Sequence, residues 1–264
     1  TKQLMPLLLP VTPLPGWQDA TRTPGHFTMI IIRRAAQRGH AHHGWLDTRH
    51  VFSFADYYDP EWMGWGNLRV INEDRIAPRT GFGRHGHRDM EILSYVLEGA
   101  LSHQDSMGNG TTMVPGQIQR MTAGTGVLHS EQNADAAATT HFLQIWLLPD
   151  ALGLTPGYAQ QETGIAADSG HLRLLAAPVA QAPAGVLPLH ADARLYAGLL
   201  DADAQAQVSL AQGRKACVFV ARGQIKIDGQ PLQAGDTALL EQEPEVLLSH
   251  GHQAEVLVFD LAAQ

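Results

Sequence analysis

What most limits the fold of this chain is how closely its turn signals follow one another. Between residues 90 and 148, Glu98-Gly99, Asp105 to Gly110, Pro115-Gly116 and Gly124-Thr125-Gly126 separate short apolar runs. Those runs are Met90 to Leu97, Leu101 to Gln104, Gln117 to Thr122, Val127 to Glu131 and His141 to Leu148. Turn signals every eight to twelve residues or so leave no room for helices of ordinary length and match an all-β sandwich or barrel. The whole chain carries 26 glycines and 15 prolines among 264 residues, which extends the same expectation along its length.

A second series runs through Ala197 to Leu210, Cys217 to Val220, Ile225 to Ile227, Ala238 to Leu240, Val246 to Ser249 and Val256 to Leu261. Asp228-Gly229 is a hairpin signal within it, and Ala202 to Ala206 allows a short helix. Val96-Leu97-Glu98-Gly99 matches Val220-Ala221-Arg222-Gly223, and Pro115-Gly116-Gln117 matches Ala234-Gly235-Asp236. Repetition at this scale predicts two related β-barrels. Met29 to Ile32 reads as a first strand, Gly39 to Trp45 as a loop, His50 to Phe54 and Arg69 to Asn72 as further strands. The expected domains are 1–28 as a loosely structured extension, 29–150 as the first barrel, and 151–264 as a proline-punctuated linker with the second barrel.

A net charge of −8 disfavours direct nucleic-acid contact, which needs a basic face. No run approaches the roughly 18 apolar residues that span a bilayer, so no membrane is expected and a cytoplasmic protein is the default. The single cysteine, Cys217, excludes an intramolecular disulfide. The 14 histidines raise the question of metal binding.

Gly83-Arg84-His85-Gly86-His87 is the strongest local signal. On an extended strand, residues two apart share a face, roughly 6.5–7 Å apart, so His85 and His87 can reach one ion. His129-Ser130-Glu131 repeats the spacing. If these strands pair in a barrel wall, three imidazoles and one carboxylate converge. Such a set suits divalent Fe, Mn, Ni, Cu or Zn and leaves positions for water, dioxygen or a substrate oxygen. His40, His42 and His43 form another cluster, in a segment without an evident scaffold.

The segments around these residues resemble one family. Gly81 to Glu91 is similar to the first cupin motif in its pirin form, and Met121 to Glu131 to the second pirin motif. Val51 to Pro60 resembles the pirin N-terminal signature, and Gln144 to Pro149 the strand before the interdomain linker. The resemblance runs from about Met29 to Leu261 and leans toward the bacterial pirin-like quercetin 2,3-dioxygenases. It implies a bicupin, two jelly-roll-like cupin barrels in one chain, with one divalent metal in the first. The family's ligands fall on His85, His87, His129 and Glu131. Fe(II) is the foremost ion, with Mn, Ni, Cu, Co or Zn as alternatives. Glu91, where ordinary cupins place a ligand carboxylate, is expected beyond the ligand set. The offsets of the four ligands, carried to the second barrel, reach Ser209, Ala211, Leu248 and His250, so that barrel is expected to be metal-free.

The implied activity is cleavage of a flavonol such as quercetin by dioxygen with release of carbon monoxide. Glu131, if loosened from the metal, would serve catalytically as proton acceptor; Phe54, Phe82, Met90 and Met121 are candidates for the pocket of the planar aromatic substrate, with plain core the alternative for each and the favoured one for Met121. The alternative is a non-enzymatic, redox- or metal-dependent regulatory protein that binds a protein partner.

Overall fold

The computed structural model describes residues 29–263. The expected extension 1–28 lies outside the described residues. Within them the regular structure is strand, apart from the two 3-10 turns Ala35–Gln37 and Val179–Gln181.

The first barrel has two sheets. One runs, neighbour to neighbour, Gly157–Glu162, Gln117–Thr122, Glu91–Glu98, Thr140–Leu147, Leu68–Ile76, Leu46–His50, Gly39–His42. The other runs Gly81–His87, Val127–Asn133, Leu101–Asp105, Gly110–Met113. The second barrel is one nine-stranded sheet in which the long strands Lys215–Ile227 and Glu245–Leu261 pair along most of their length.

Two strands cross the expected division at residue 150. Met29–Arg33 pairs with Thr237–Glu241 in the second barrel, and Gly157–Glu162 pairs with Gln117–Thr122 in the first. Each barrel therefore borrows an edge strand from the other's stretch of sequence. Three smaller expectations are corrected. Gly39–His42 is a strand rather than a loop, its partner Leu46–His50 ends where the expected strand His50 to Phe54 began, and the stretch 202–205 forms turns rather than a helix.

Every residue from Glu91 to Leu97 is buried, because the strand is covered on both faces. Leu93, Tyr95 and Leu97 face the second barrel, joining Leu143 and Ile145 against Cys217, Phe219, Leu257 and Phe259 in one core that spans the two barrels. Tyr95 Oη donates to Glu255 Oε1 across that seam at 2.7 Å. Alternate residues point into the first barrel, where Val96 joins Leu46, Ile76, Leu101, Met113 and Phe142 in a small apolar cluster. Ser94 instead meets Gln119, Glu131 and Gln144 there. The second barrel is filled by aliphatic side chains, among them Val208, Val218, Val220, Ile225, Leu240, Val246 and Leu248. Leu248, one of the four positions reached from the ligand offsets, is part of that filling, and His250 is exposed.

Candidate metal centre

The strand Val127–Asn133 lies between Gly81–His87 and Leu101–Asp105, so its inward residues meet side chains from both neighbours. On one edge His129 stands opposite His85 and Val127 opposite His87. The register slips between His129 and Glu131, a bulge that lets two successive inward residues serve different neighbours. On the other edge Glu131 stands opposite His103.

The three histidines expected to gather do so. Ring centroids are 4.8 Å apart for His85 and His87, 4.4 Å for His85 and His129, and 4.8 Å for His87 and His129. One ligand nitrogen from each lies within 4.8 Å of the others. Glu131 sits differently from the expected fourfold set: it groups with His129 and His103, again with ligand atoms within 4.8 Å. Its Oε1 accepts from Ser94 Oγ at 2.9 Å and Gln119 Nε2 at 3.2 Å, and its Oε2 from Gln144 Nε2 at 2.7 Å. These are polar side chains on the inward faces of the facing sheet, and they hold the carboxylate to that side.

The electrostatics favour neutral, ligating imidazoles. Burial, with the neighbouring His85, lowers His87 to about 4. Burial, with His85, His87 and His103, lowers His129 to about 3. Burial also raises Glu131, while Ser94, His103 and Gln144 pull it back. His85 Nδ1 donates to the Gly83 carbonyl at 2.7 Å, which leaves Nε2 bare; ligating histidines are commonly oriented by such a bond. Both ring nitrogens of His129 and Nε2 of His87 are buried without a hydrogen-bond partner. An unsatisfied buried polar atom costs about 1–3 kcal/mol. A cluster of bare imidazole nitrogens is what a divalent transition ion would satisfy, so the donor set fits the expected cofactor.

Glu91 is placed away from this cluster. It is fully buried on the opposite face of its strand, and its Oε2 accepts from the backbone N–H of His190 at 3.1 Å. Of the four expected pocket residues, Phe54 packs edge-on to Trp146 at 5.3 Å, and Met90 packs against a small apolar cluster that Trp146 also borders. Phe82 lies 6.4 Å from the His85 ring but also packs on Trp45 at 5.1 Å. Met121 has no accessible surface among Ile92, Ala123 and Val127 and is a core residue rather than a pocket wall. His40 pairs with Asp47 at 2.9 Å on the exposed hairpin, far more open than the barrel cluster.

Sequence reasoning missed Trp146 and His103. Trp146 stands edge-on to His87 at 4.9 Å, and its Nε1 is buried without a partner. It lies in an apolar run that reads as core. His103 is fully buried, and its Nε2 lies 3.1 Å from Asp105 Oδ2. The signal was the spacing His103-x-Asp105, the same that marked His129 and Glu131, but the expected strand stopped at Gln104 whereas the strand runs Leu101–Asp105.

The first barrel matches the family model described as Pirin over residues 32–147, and the second matches that of the quercetinase C-terminal cupin domain over residues 174–261. A protein of Escherichia coli K12 named quercetin 2,3-dioxygenase is 43% identical over 233 residues, covering 88% of this chain and 99% of its own length. A protein of Caulobacter vibrioides named pirin-like is 39% identical over 234 residues, covering 89% of this chain and 100% of its own. The crystal structure of the Escherichia coli bacterial pirin YhhW in complex with nickel(II) superposes with a TM-score of 0.84 at 42% identity, covering 89% of this chain and 100% of that one.

Proposed function

Since this chain belongs to the pirin family, we propose that it is a metal-dependent dioxygenase that opens the flavonol ring of quercetin-like substrates with consumption of dioxygen and release of carbon monoxide. The observation that carries this reading is the gathering of His85, His87 and His129, with the unpartnered buried nitrogens of His87 and His129, in the barrel that also buries Glu131. The similarity to a protein named quercetin 2,3-dioxygenase supports the substrate class. His85, His87, His129 and Glu131 would hold a divalent first-row ion, Fe(II) foremost. When bound, that ion supplies positive charge that favours a phenolate over a phenol, and exchangeable positions beside it.

The chain's own residues contribute the rest. Glu131, once released from the ion, would take the proton of the flavonol 3-hydroxyl. Ser94, Gln119 and Gln144 orient its oxygens and stabilise its charged form. Trp146, with Phe54 packed edge-on to it, offers an aromatic wall next to His87, and its free Nε1–H can donate to a substrate oxygen.

The test loads the metal-free protein anaerobically with Fe(II), Mn(II), Co(II) or Ni(II) and mixes it with quercetin in air. Loss of the flavonol absorbance with stoichiometric carbon monoxide supports the enzyme. Full metal occupancy without turnover for any ion overturns it in favour of a binding role. His129→Ala should lose both the ion, by elemental analysis, and the turnover; turnover that persists in that variant overturns the site.

A further inference from the structure

The strand carrying His129 and Glu131 has two neighbours, and the expected ligand set uses only one of them. On the other side stands His103, directly opposite Glu131 in the antiparallel ladder, where paired residues project to the same face with Cβ atoms about 5 Å apart. His103 has no accessible surface, and its ring centroid is 5.3 Å from that of His129. The ring is clamped: Tyr158 stacks on it at 4.8 Å, and Nε2 lies 3.1 Å from Asp105 Oδ2. Asp105 in turn is held by the backbone N–H groups of Met107 and Asn109 and by Asn109 Nδ2. A carboxylate only accepts, so the His103 proton resides on Nε2, and Nδ1 presents a bare lone pair. That Nδ1 is buried with no partner.

A carboxylate on one imidazole nitrogen with the other nitrogen bare and buried is the arrangement by which proteins orient a metal-ligating histidine. We propose that the first barrel contains a second, inner cation seat formed by His103 Nδ1, His129 and Glu131, for a divalent transition ion. Ligand atoms of these three residues lie within 4.8 Å of one another, and all three residues are buried, whereas His85 and His87 in the outer trio are half-buried. Both trios include His129. Two divalent charges this close repel strongly, so the seats are alternatives and the protein holds one ion with two resting places. The inference rests on the same barrel being a metal centre. It adds that Glu131 and His103 can hold an ion without His85 and His87.

Cobalt(II) alone is the probe, added anaerobically to metal-free protein and followed by elemental analysis and its visible spectrum. The wild type should hold one ion per chain. His85→Gln/His87→Gln, at half-buried positions, should still hold one, about 10–1,000-fold more weakly. Adding His103→Gln to that pair should abolish binding, while His103→Gln alone should keep one ion in the outer seat. Circular dichroism and thermal unfolding confirm folding. Anomalous scattering from a cobalt-loaded crystal of the double variant should place the ion at ligand distance from His103 Nδ1. A folded double variant that binds no cobalt, or one whose binding is indifferent to His103→Gln, overturns the inner seat and leaves the outer one standing. Wild-type protein that binds no cobalt overturns both seats, together with the metal-dependent function.

Discussion

Glu131 is the residue on which the chemistry turns, and Gln144 is its shortest hydrogen-bond donor, at 2.7 Å. Gln144→Leu removes a donor that stabilises the charged carboxylate, so protonated Glu131 gains ground relative to the wild type. The acid limb of the kcat/KM profile reports deprotonation of the essential base, so it should move to higher pH. Turnover near neutrality should fall by about 10–100-fold. Steady-state kinetics across pH check both, and an unmoved limb would remove Glu131 from the role of base. At this scale the two-residue spacing on a strand singled out two separate pairs, His85 with His87 and His129 with Glu131, and the resemblance to the pirin motifs joined them into one set. It did not place Glu131 against His103, because that contact depends on which strand lies on the far side of Val127–Asn133.

The alignment of the two strands that carry the metal-facing residues depends on close backbone approach at Gly81. A Cβ there would lie 2.3 Å from the Glu131 carbonyl oxygen and 2.5 Å from Gln132 Cα, both backbone atoms that cannot turn aside. Gly81→Ala should therefore pry Gly81–His87 away from Val127–Asn133, costing roughly 1–3 kcal/mol of stability. It should also weaken metal binding by separating His85 from His129. Urea denaturation and cobalt titration measure the two effects, and wild-type values in both would show that the ladder yields without cost. The repeat was legible in the same kind of residue. Gly99 and Gly223, and likewise Gly116 and Gly235, all adopt positive φ between 68° and 89°, as their matched positions in the two series imply. The hairpin Gly39–His42 with Leu46–His50 was not legible, since its residues are polar and histidine-rich, and pairing with Leu68–Ile76 rather than propensity makes them strands.

Across the whole molecule, two adjacent carboxyls tie stability to pH with opposite signs. Burial pushes Asp74 up to about 7; a hydrogen bond from Thr48 opposes the rise, and Glu131 and Glu73 add to it. In the unfolded chain the group titrates near 3.9. Between about 4 and 7 the folded state thus binds the extra proton, and stability falls as pH rises through that window. Glu73 faces the seam between the barrels. Burial alone would raise it, but the hydrogen bond from His141 and the guanidinium groups of Arg38 and Arg75 hold it well below the usual carboxylate range. Its contribution is present above about pH 4 and is lost as pH falls. Asp74→Asn in the metal-free protein should be more stable than the wild type at pH 8 by roughly 2–4 kcal/mol, with the difference vanishing near pH 4. Denaturant unfolding at the two pH values checks this, and a difference independent of pH would show that Asp74 is not the group responsible.

Turn spacing and the repeated glycine-bounded segments predicted an all-β, two-barrel chain, two pairs of chelating residues marked the candidate site, and the resemblance to the pirin motifs joined the pairs. The turns, the repeat and the paired spacing depend on local rules, the two-residue period of a strand and the backbone freedom of glycine, which act over a few neighbouring residues. The tertiary structure alone decided the exchange of edge strands between the barrels. It also decided the meeting of His103 with Glu131 and the siting of Trp146 against His87. Those outcomes follow from which strands lie side by side and which face of each is covered, and that is settled by burying both faces of the central strands at once, a condition imposed by residues far apart in the chain.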